Sequence, residues 1–129
     1  MTILLALAAV SNCIAIDGDT LRCRMEGQQV SVRLLAIDAP ELPGHCRKGR
    51  KCAPGDPYLA KRTLERAIRF RFVHITPRGW DRFGRMLATA GAEPHGDLSC
   101  HLLRSGVAIY VRHWDTGRAV ARQCPERAR

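Results

Sequence analysis

Two stretches of alternating side-chain character, each set off by a turn signal, constrain the fold of this chain more than anything else in it. Asp17-Gly18-Asp19 marks a turn, and Leu21-Arg22-Cys23-Arg24-Met25 then alternates with the period of two that belongs to a half-buried strand. The mostly apolar segment Val10 to Ile16 precedes the turn, so these pieces read as a β-hairpin. Gly27 supplies a second turn, and Val30, Val32 and Leu34 alternate with Ser31 and Arg33 before the run ends at Ile37-Asp38-Ala39-Pro40. A three-stranded meander is expected. Successive side chains of a strand face opposite ways, so Arg33 lies on the face away from Val30, Val32 and Leu34 and points outward or into a polar pocket.

Further along, residues 41–55 are rich in Pro, Gly, Arg and Lys and have no period, which predicts a loop able to lie beside an anionic ligand. Asp56-Pro57 is a helix start, with an N-cap acceptor followed by a proline at the first helical position. The helix runs to about Arg69 with Ala60, Leu64, Ala67 and Ile68 on one stripe, and its other face is basic. Phe70 to Thr76 reads as a strand that Pro77-Arg78-Gly79 breaks, Arg85 to Ala90 as the next, and Val107 to Val111 as the last. Asp97 caps a short helix carrying Leu98 and Leu102, which Gly106 ends. Five or six short strands with one main helix after Pro57 and a second short one near 97–105 predict a β-rich α+β domain. Its expected form is a small closed barrel, because a parallel βαβ sheet needs alternating crossover helices.

A chain of 129 residues has room for one such core. The expected division is an apolar segment at 1–9, a barrel domain at 10–112 and a basic, poorly patterned tail at 113–129. Ala6-Leu7-Ala8 has the small-residue form of a signal-peptidase site, so the first segment is either a first strand or a signal remnant. The apolar run Ile3 to Val10 is less than half of the roughly 20 residues that a membrane span needs.

Twenty-one basic residues against 12 acidic ones give a net charge of +9, a field that attracts polyanions. With two Trp, two Tyr and three Phe, a broad stacking platform for single-stranded bases has little material. Six cysteines in so short a chain are typical of exported, disulfide-stapled domains. Three local pairs suggest themselves, Cys13 with Cys23, Cys46 with Cys52, and Cys100 with Cys124. The competing zinc reading, drawn on His45, Cys46, Cys52, Cys100, His101 and Cys124, lacks the repeated short cysteine spacing of structural zinc sites.

Chemistry concentrates in three acidic residues at strand ends: Asp19 in the first turn, Asp38 after the third strand, and Glu41. In an antiparallel meander the end of the third strand lies at the same edge as the first turn, so Asp38 can approach Asp19. Carboxylates that converge repel one another unless a cation holds them, and a hard divalent ion with oxygen ligands suits that task.

Three motifs, Ile16-Asp17-Gly18-Asp19-Thr20, Val32-Arg33-Leu34-Leu35-Ala36-Ile37-Asp38-Ala39-Pro40-Glu41 and Asp81-Arg82-Phe83-Gly84-Arg85, together resemble the staphylococcal nuclease (thermonuclease) family in order and spacing. The resemblance implies an OB-type five-stranded barrel with flanking helices. It also implies calcium-dependent cleavage of DNA and RNA that leaves 3′-phosphate ends. By the same resemblance Asp19, Asp38 and the backbone carbonyl of Ala39 hold Ca2+, and Thr20 helps hold a water beside it. Glu41 is the general base, and Arg33 and Arg85 grip the scissile phosphate. Arg82, Tyr110 and Arg112 are the expected substrate contacts, with Trp114 in the register of an aromatic near the base. Phe83 stands where the family commonly has tyrosine, so one phosphate-directed hydroxyl is missing. The expected protein is an exported monomer acting on DNA or RNA. The alternative is a catalytically silent OB-type nucleic-acid-binding module, for which three carboxylates facing a polyanion have no use.

Overall fold

The computed structural model describes residues 9–129, and the expectation for the apolar segment 1–8 lies outside the described residues. Strands β1 (Ala9–Ser11) and β2 (Cys13–Ala15) are separated by Asn12 alone. The predicted meander follows: β2 pairs antiparallel with β3 (Thr20–Met25), and β3 with β4 (Gln28–Leu34). Glu26 and Gly27 both adopt left-handed backbone, the conformation that a tight two-residue hairpin turn requires. Leu21, Cys23 and Met25 face the core, while Arg22 and Arg24 are exposed, as the alternation predicts.

Beyond β4 the chain kinks at Ala36, also left-handed at φ 67°, and enters the two-residue strand β5 (Ile37–Asp38). Helix α1 (Pro57–Ile68) starts where expected: the Asp56 carboxylate accepts hydrogen bonds from the amides of Tyr58 and Leu59 at 2.9 and 3.2 Å. A cap of this kind stabilises a helix by about 1 kcal/mol. Its stripe of Ala60, Leu64, Ala67 and Ile68 is buried.

Strands β6 (Val73–Trp80) and β7 (Met86–Ala92) pair antiparallel, and β8 (Gly96–Asp97) pairs with β7. Helix α2 (Leu98–Arg104) is capped by Asp97, which accepts from the Cys100 amide at 2.8 Å, and β9 (Ile109–Tyr110) pairs with β5. The main sheet has the order β1-β6-β7-β4-β3-β2, with β4 and β7 parallel. Among the described residues the fold is thus a β-rich α+β arrangement with a mixed sheet and three α-helices.

Four expectations need correction. Among the described residues the sheet is not a hydrogen-bonded closed barrel of five strands: its path has two ends, β1 and β2, although these are consecutive in the chain. Pro77-Arg78-Gly79 does not break β6, because a register shift between Pro77 and Gly79 absorbs the missing amide as a bulge. That strand begins at Val73 rather than Phe70, since Phe70 is left-handed (φ 59°) and belongs to the turn after α1. The stretch Val107 to Val111 shrinks to Ile109–Tyr110.

The basic, poorly patterned residues after Arg112 fold onto the domain. Helix α3 (Ala119–Gln123), between 3-10 turns, buries Ala119, Val120 and Ala121, and Val120 and Cys124 join the main core cluster. Five residues of helix are too few for a period to show in sequence, and the bridge from Cys124 to Cys100 ties them down. All three expected disulfides are present, Cys13–Cys23, Cys46–Cys52 and Cys100–Cys124, and no free cysteine remains to serve zinc.

Candidate active site

Asp19 ends the turn between β2 and β3, and its amide is held by the Asp17 carboxylate at 3.0 Å. The β3–β4 register sets Thr20 opposite Arg33, and the Leu34 amide donates to the Asp19 carbonyl at 2.9 Å, so Arg33 emerges beside Asp19. The kink at Ala36 then folds β5 back toward the same point, and the Ala39 amide donates to Asp19 Oδ2 at 2.8 Å. Arg33 Nη2 stands 3.3 Å from Asp19 Oδ2 and 3.5 Å from Asp38 Oδ1, while its Nη1 donates to the carbonyls of Leu34 and Ile37. One buried guanidinium thus gathers two carboxylates from separate chain segments. The Thr20 hydroxyl donates to Asp19 Oδ1 at 3.1 Å.

Burial pushes the Asp19 carboxyl up to about 6, against the opposing pull of Arg33. Asp38 is also raised by burial, which outweighs the lowering influence of Arg50 and Arg33. Both acids therefore give up their protons less readily than usual, despite the arginines beside them.

Glu41 lies in the loop after β5, where Arg50 Nη1 meets its Oε1 at 2.8 Å and Arg50 Nη2 reaches both Asp38 oxygens at 3.2 Å. Across the cleft, Asp81 organises the β6–β7 turn: its Oδ1 accepts from the amides of Phe83 and Arg85, and its Oδ2 from Arg85 Nε at 2.7 Å. Burial pushes the Asp81 carboxyl up, but these hydrogen bonds and the Arg85 charge outweigh it and leave the group below its ordinary value.

These groups face a cleft of about 850 Å³ whose lining includes Asp19, Arg33, Glu41, Arg82 and Arg85. The cleft wall carries five arginines, at 33, 47, 50, 82 and 85, against the carboxylates of Asp17, Asp19, Glu41 and Asp81. An anion with a cation bound beside it complements such a wall. Asp38 stands behind the wall, in contact with Arg33 and Arg50.

Two expected substrate contacts are not brought to the cleft. Tyr110 is paired through β9 with Ile37, and its hydroxyl donates to Asp115 Oδ2 at 2.6 Å. Arg112 begins the following 3-10 turn and does not line the cleft either. Trp114 does line it, with the Arg33 guanidinium 5.6 Å from its ring centroid. Sequence reasoning assigned no roles to Arg50, Arg47 or Asp81. Arg47 and Arg50 belong to the basic loop already expected to lie beside an anionic ligand, and the Cys46–Cys52 bridge closes that loop. Arg47 stacks its guanidinium 4.7 Å from the centroid of the Phe83 ring, so the residue without a hydroxyl still has a role in the wall.

Among the described residues no group of three or more His, Cys, Asp or Glu side chains is arranged to hold a metal ion. The side-chain donors that do converge, Asp19 and Asp38, are hard oxygens, and the group of Ala39 seen in contact with them is its amide. Two carboxylates suit a hard divalent ion that draws its other ligands from backbone and solvent, and they do not suit zinc.

The fold and cleft define a small α+β domain with a two-carboxylate, multi-arginine site. The profile of the family described as "Staphylococcal nuclease homologue" matches residues 31–129, and the chain belongs to that family. The match includes Arg33, Asp38, Glu41 and Arg85, whereas Asp19 and Thr20 precede it. A curated protein of Verticillium alfalfae described as "Probable endonuclease LCL3" is 32% identical over 91 residues, which cover 67% of this chain. The aligned stretch is 30% of that protein's length. No helix among the described residues is long and apolar enough to cross a membrane.

Proposed function

We propose that this protein is a calcium-dependent nuclease that hydrolyses phosphodiester bonds of DNA or RNA and leaves 3′-phosphate ends. The observation that carries the reading is the meeting of Asp19 and Asp38 at one Arg33 guanidinium, with Asp19 and Arg33 lining the same cleft as Glu41 and Arg85. Family membership and the endonuclease description of the relative support it.

In this reading Asp19, Asp38 and the Ala39 carbonyl would hold Ca2+, which would supply neutralising charge to a phosphoryl oxygen. Arg33 and Arg85 meet the remaining equatorial oxygens: Arg85 with the guanidinium nitrogens that Asp81 leaves free, and Arg33 with Nη2 once the bound cation takes over Asp19 and Asp38. Glu41 takes a proton from the attacking water as its oxygen bonds to phosphorus. The bond from phosphorus to the 5′ oxygen breaks, and the departing oxygen takes a proton from solvent. Arg50 orients Glu41 through Oε1. Asp81 aims Arg85, and Thr20 steadies Asp19.

The finer architecture belongs to the same proposal: β1 and β2, read as one strand bent at Asn12, would complete an OB-type barrel. Three disulfides suit an oxidising, exported setting.

Purified protein incubated with single-stranded DNA and with RNA, in calcium or in chelator, tests the reading beside Glu41→Gln. Calcium-dependent degradation that the variant loses is the expected result. Nucleic-acid binding without cleavage in either metal condition would overturn it in favour of the silent binding module.

A further inference from the structure

Helix α1 carries a surface that the proposed chemistry does not use. At 100° per residue, Arg62, Arg66 and Arg69 fall within about 60° of one another, opposite the buried stripe of Ala60, Leu64, Ala67 and Ile68. All three are exposed, with Glu65 as the one acid beside them. Tyr58, 53% exposed, lies on the same face at the N-terminal end, and Phe70 and Phe72, 96% and 64% exposed, follow the C-terminal end. The N-terminal turn of α1 lies next to the Asp19 turn, since Ala60 on its buried side packs against Gly18, and the ridge begins on the solvent side of that same turn with Tyr58. It runs about 18 Å along the helix away from it.

Phe70 adds a second, independent observation. A bulky residue in left-handed backbone is strained, and here no burial offsets that strain: φ is 59° and the ring is almost wholly in solvent. The Arg69 guanidinium lies 5.1 Å from the ring centroid, so a cation and an aromatic face are offered together.

Resting on the nuclease reading of the cleft, we infer that this ridge is a second contact surface for the substrate, a track for a single nucleic-acid strand leading away from the site. The arginines meet successive phosphates, and Tyr58, Phe70 and Phe72 offer rings to bases. This is no broad platform, which the scarcity of aromatic residues excludes. A strand fits better than a bilayer, because the apolar face that an interfacial helix would insert is already buried in the core.

The test is fluorescence anisotropy of the full chain in chelator with labelled DNA of about 4 and about 16 nucleotides, the first short enough for the cleft alone. Phe70→Gly is the first variant, because glycine accepts the left-handed backbone: it should raise the thermal midpoint yet weaken binding of the long strand about fivefold or more. Binding of the short strand should not change. The triple variant Arg62→Gln, Arg66→Gln, Arg69→Gln should flatten the log-log salt slope for the long strand by about 2.

Equal weakening for both strands, or for neither, overturns the inference. So does loss of binding to phosphatidylserine vesicles with strand binding intact, which would assign the ridge to a membrane. The two readings fail separately. Ridge-dependent strand binding without any cleavage by wild type in calcium sinks the nuclease reading alone, and cleavage with long-strand binding indifferent to the ridge sinks only this one.

Discussion

Gly18 packs against Ala60 with no room for a side chain: a Cβ added at Gly18 would lie 2.5 Å from the Ala60 Cβ. The same atom would lie 2.8 Å from the Ala39 Cβ, so the site turn is wedged between α1 and the segment after β5. Gly18→Ala should therefore destabilise by roughly 1–3 kcal/mol, the usual cost of overpacking. It should also reduce cleavage by more than the lost folded fraction, because Asp19 is displaced with its turn. Denaturant unfolding and turnover measured on the same preparation check both, and unchanged stability would show that the helix yields.

That contact illustrates what the sequence does and does not disclose. Asp-Gly-Asp reads as a hairpin turn, and the turn is there, but its glycine is required by a helix some forty residues later, which no local pattern shows. Strands β3 and β4 and helix α1 were legible because alternation, the stripe and the Asp56-Pro57 cap are local signals. Asp19, Arg33 and Asp38 were legible as a set through their order in the motifs, and the structure brings them together. Arg50 was not, because its role depends on where a disulfide-closed loop lands. The facing of Tyr110 was not legible, because a two-residue strand leaves no period to set it; its hydroxyl turns toward Asp115.

Arg33 holds the site together as well as facing the substrate. Arg33→Ala leaves Asp19 and Asp38 buried without their shared cation, a change that costs about 3–5 kcal/mol in comparable buried pairs. Turnover should fall at least 100-fold, as when a charge-stabilising donor is lost elsewhere. Arg33→Lys separates the two roles: it should recover part of the stability but little of the turnover, since an ammonium cannot span the Leu34 and Ile37 carbonyls and both carboxylates as the guanidinium does. Equal recovery of both would remove the fork from the account.

Asp81 and Arg85 should behave as one unit. Arg85→Ala is expected to lower turnover at least 100-fold. Asp81→Asn loses the ionic partner of Nε and should lower turnover by about tenfold, with a smaller change in KM, because Arg85 remains present but misaimed. The double variant should be no worse than Arg85→Ala alone. Additive losses would mean that Asp81 acts on the substrate by itself.

The Cys100–Cys124 bridge closes a separation of 24 residues and joins two buried positions, so α3 depends on it to stay docked. Cys100→Ala with Cys124→Ala should cost about 3 kcal/mol on the chain-entropy estimate. The Cys46–Cys52 bridge closes a separation of only six residues in a surface loop, so its loss should cost less, about 2 kcal/mol on the same estimate, yet lower turnover more, because it shapes the loop that presents Arg50 to Glu41. Calorimetry and rate measurements on the two double variants distinguish the roles; turnover that falls no further for the loop pair than for the Cys100–Cys124 pair contradicts the division.

His101 gives the fold a pH dependence away from the cleft. Burial first, then the neighbouring His95 and Arg104, hold its imidazole below the ordinary histidine value, and the His95 and His101 ring centroids are 4.5 Å apart. A group depressed in the folded state is protonated more readily when the chain unfolds. Its contribution is therefore present at pH 8 and lost as pH falls below about 6.5, the unfolded value. Asp19, raised to about 6, acts in the opposite direction over part of this range, so the wild-type curve alone does not isolate the histidine. The quantity to measure is the stability of His101→Gln minus that of wild type at each pH. That difference should rise as the solution is acidified from pH 7 to 5 and stay constant above 7, and a flat difference throughout would mean that the imidazole titrates alike in both states.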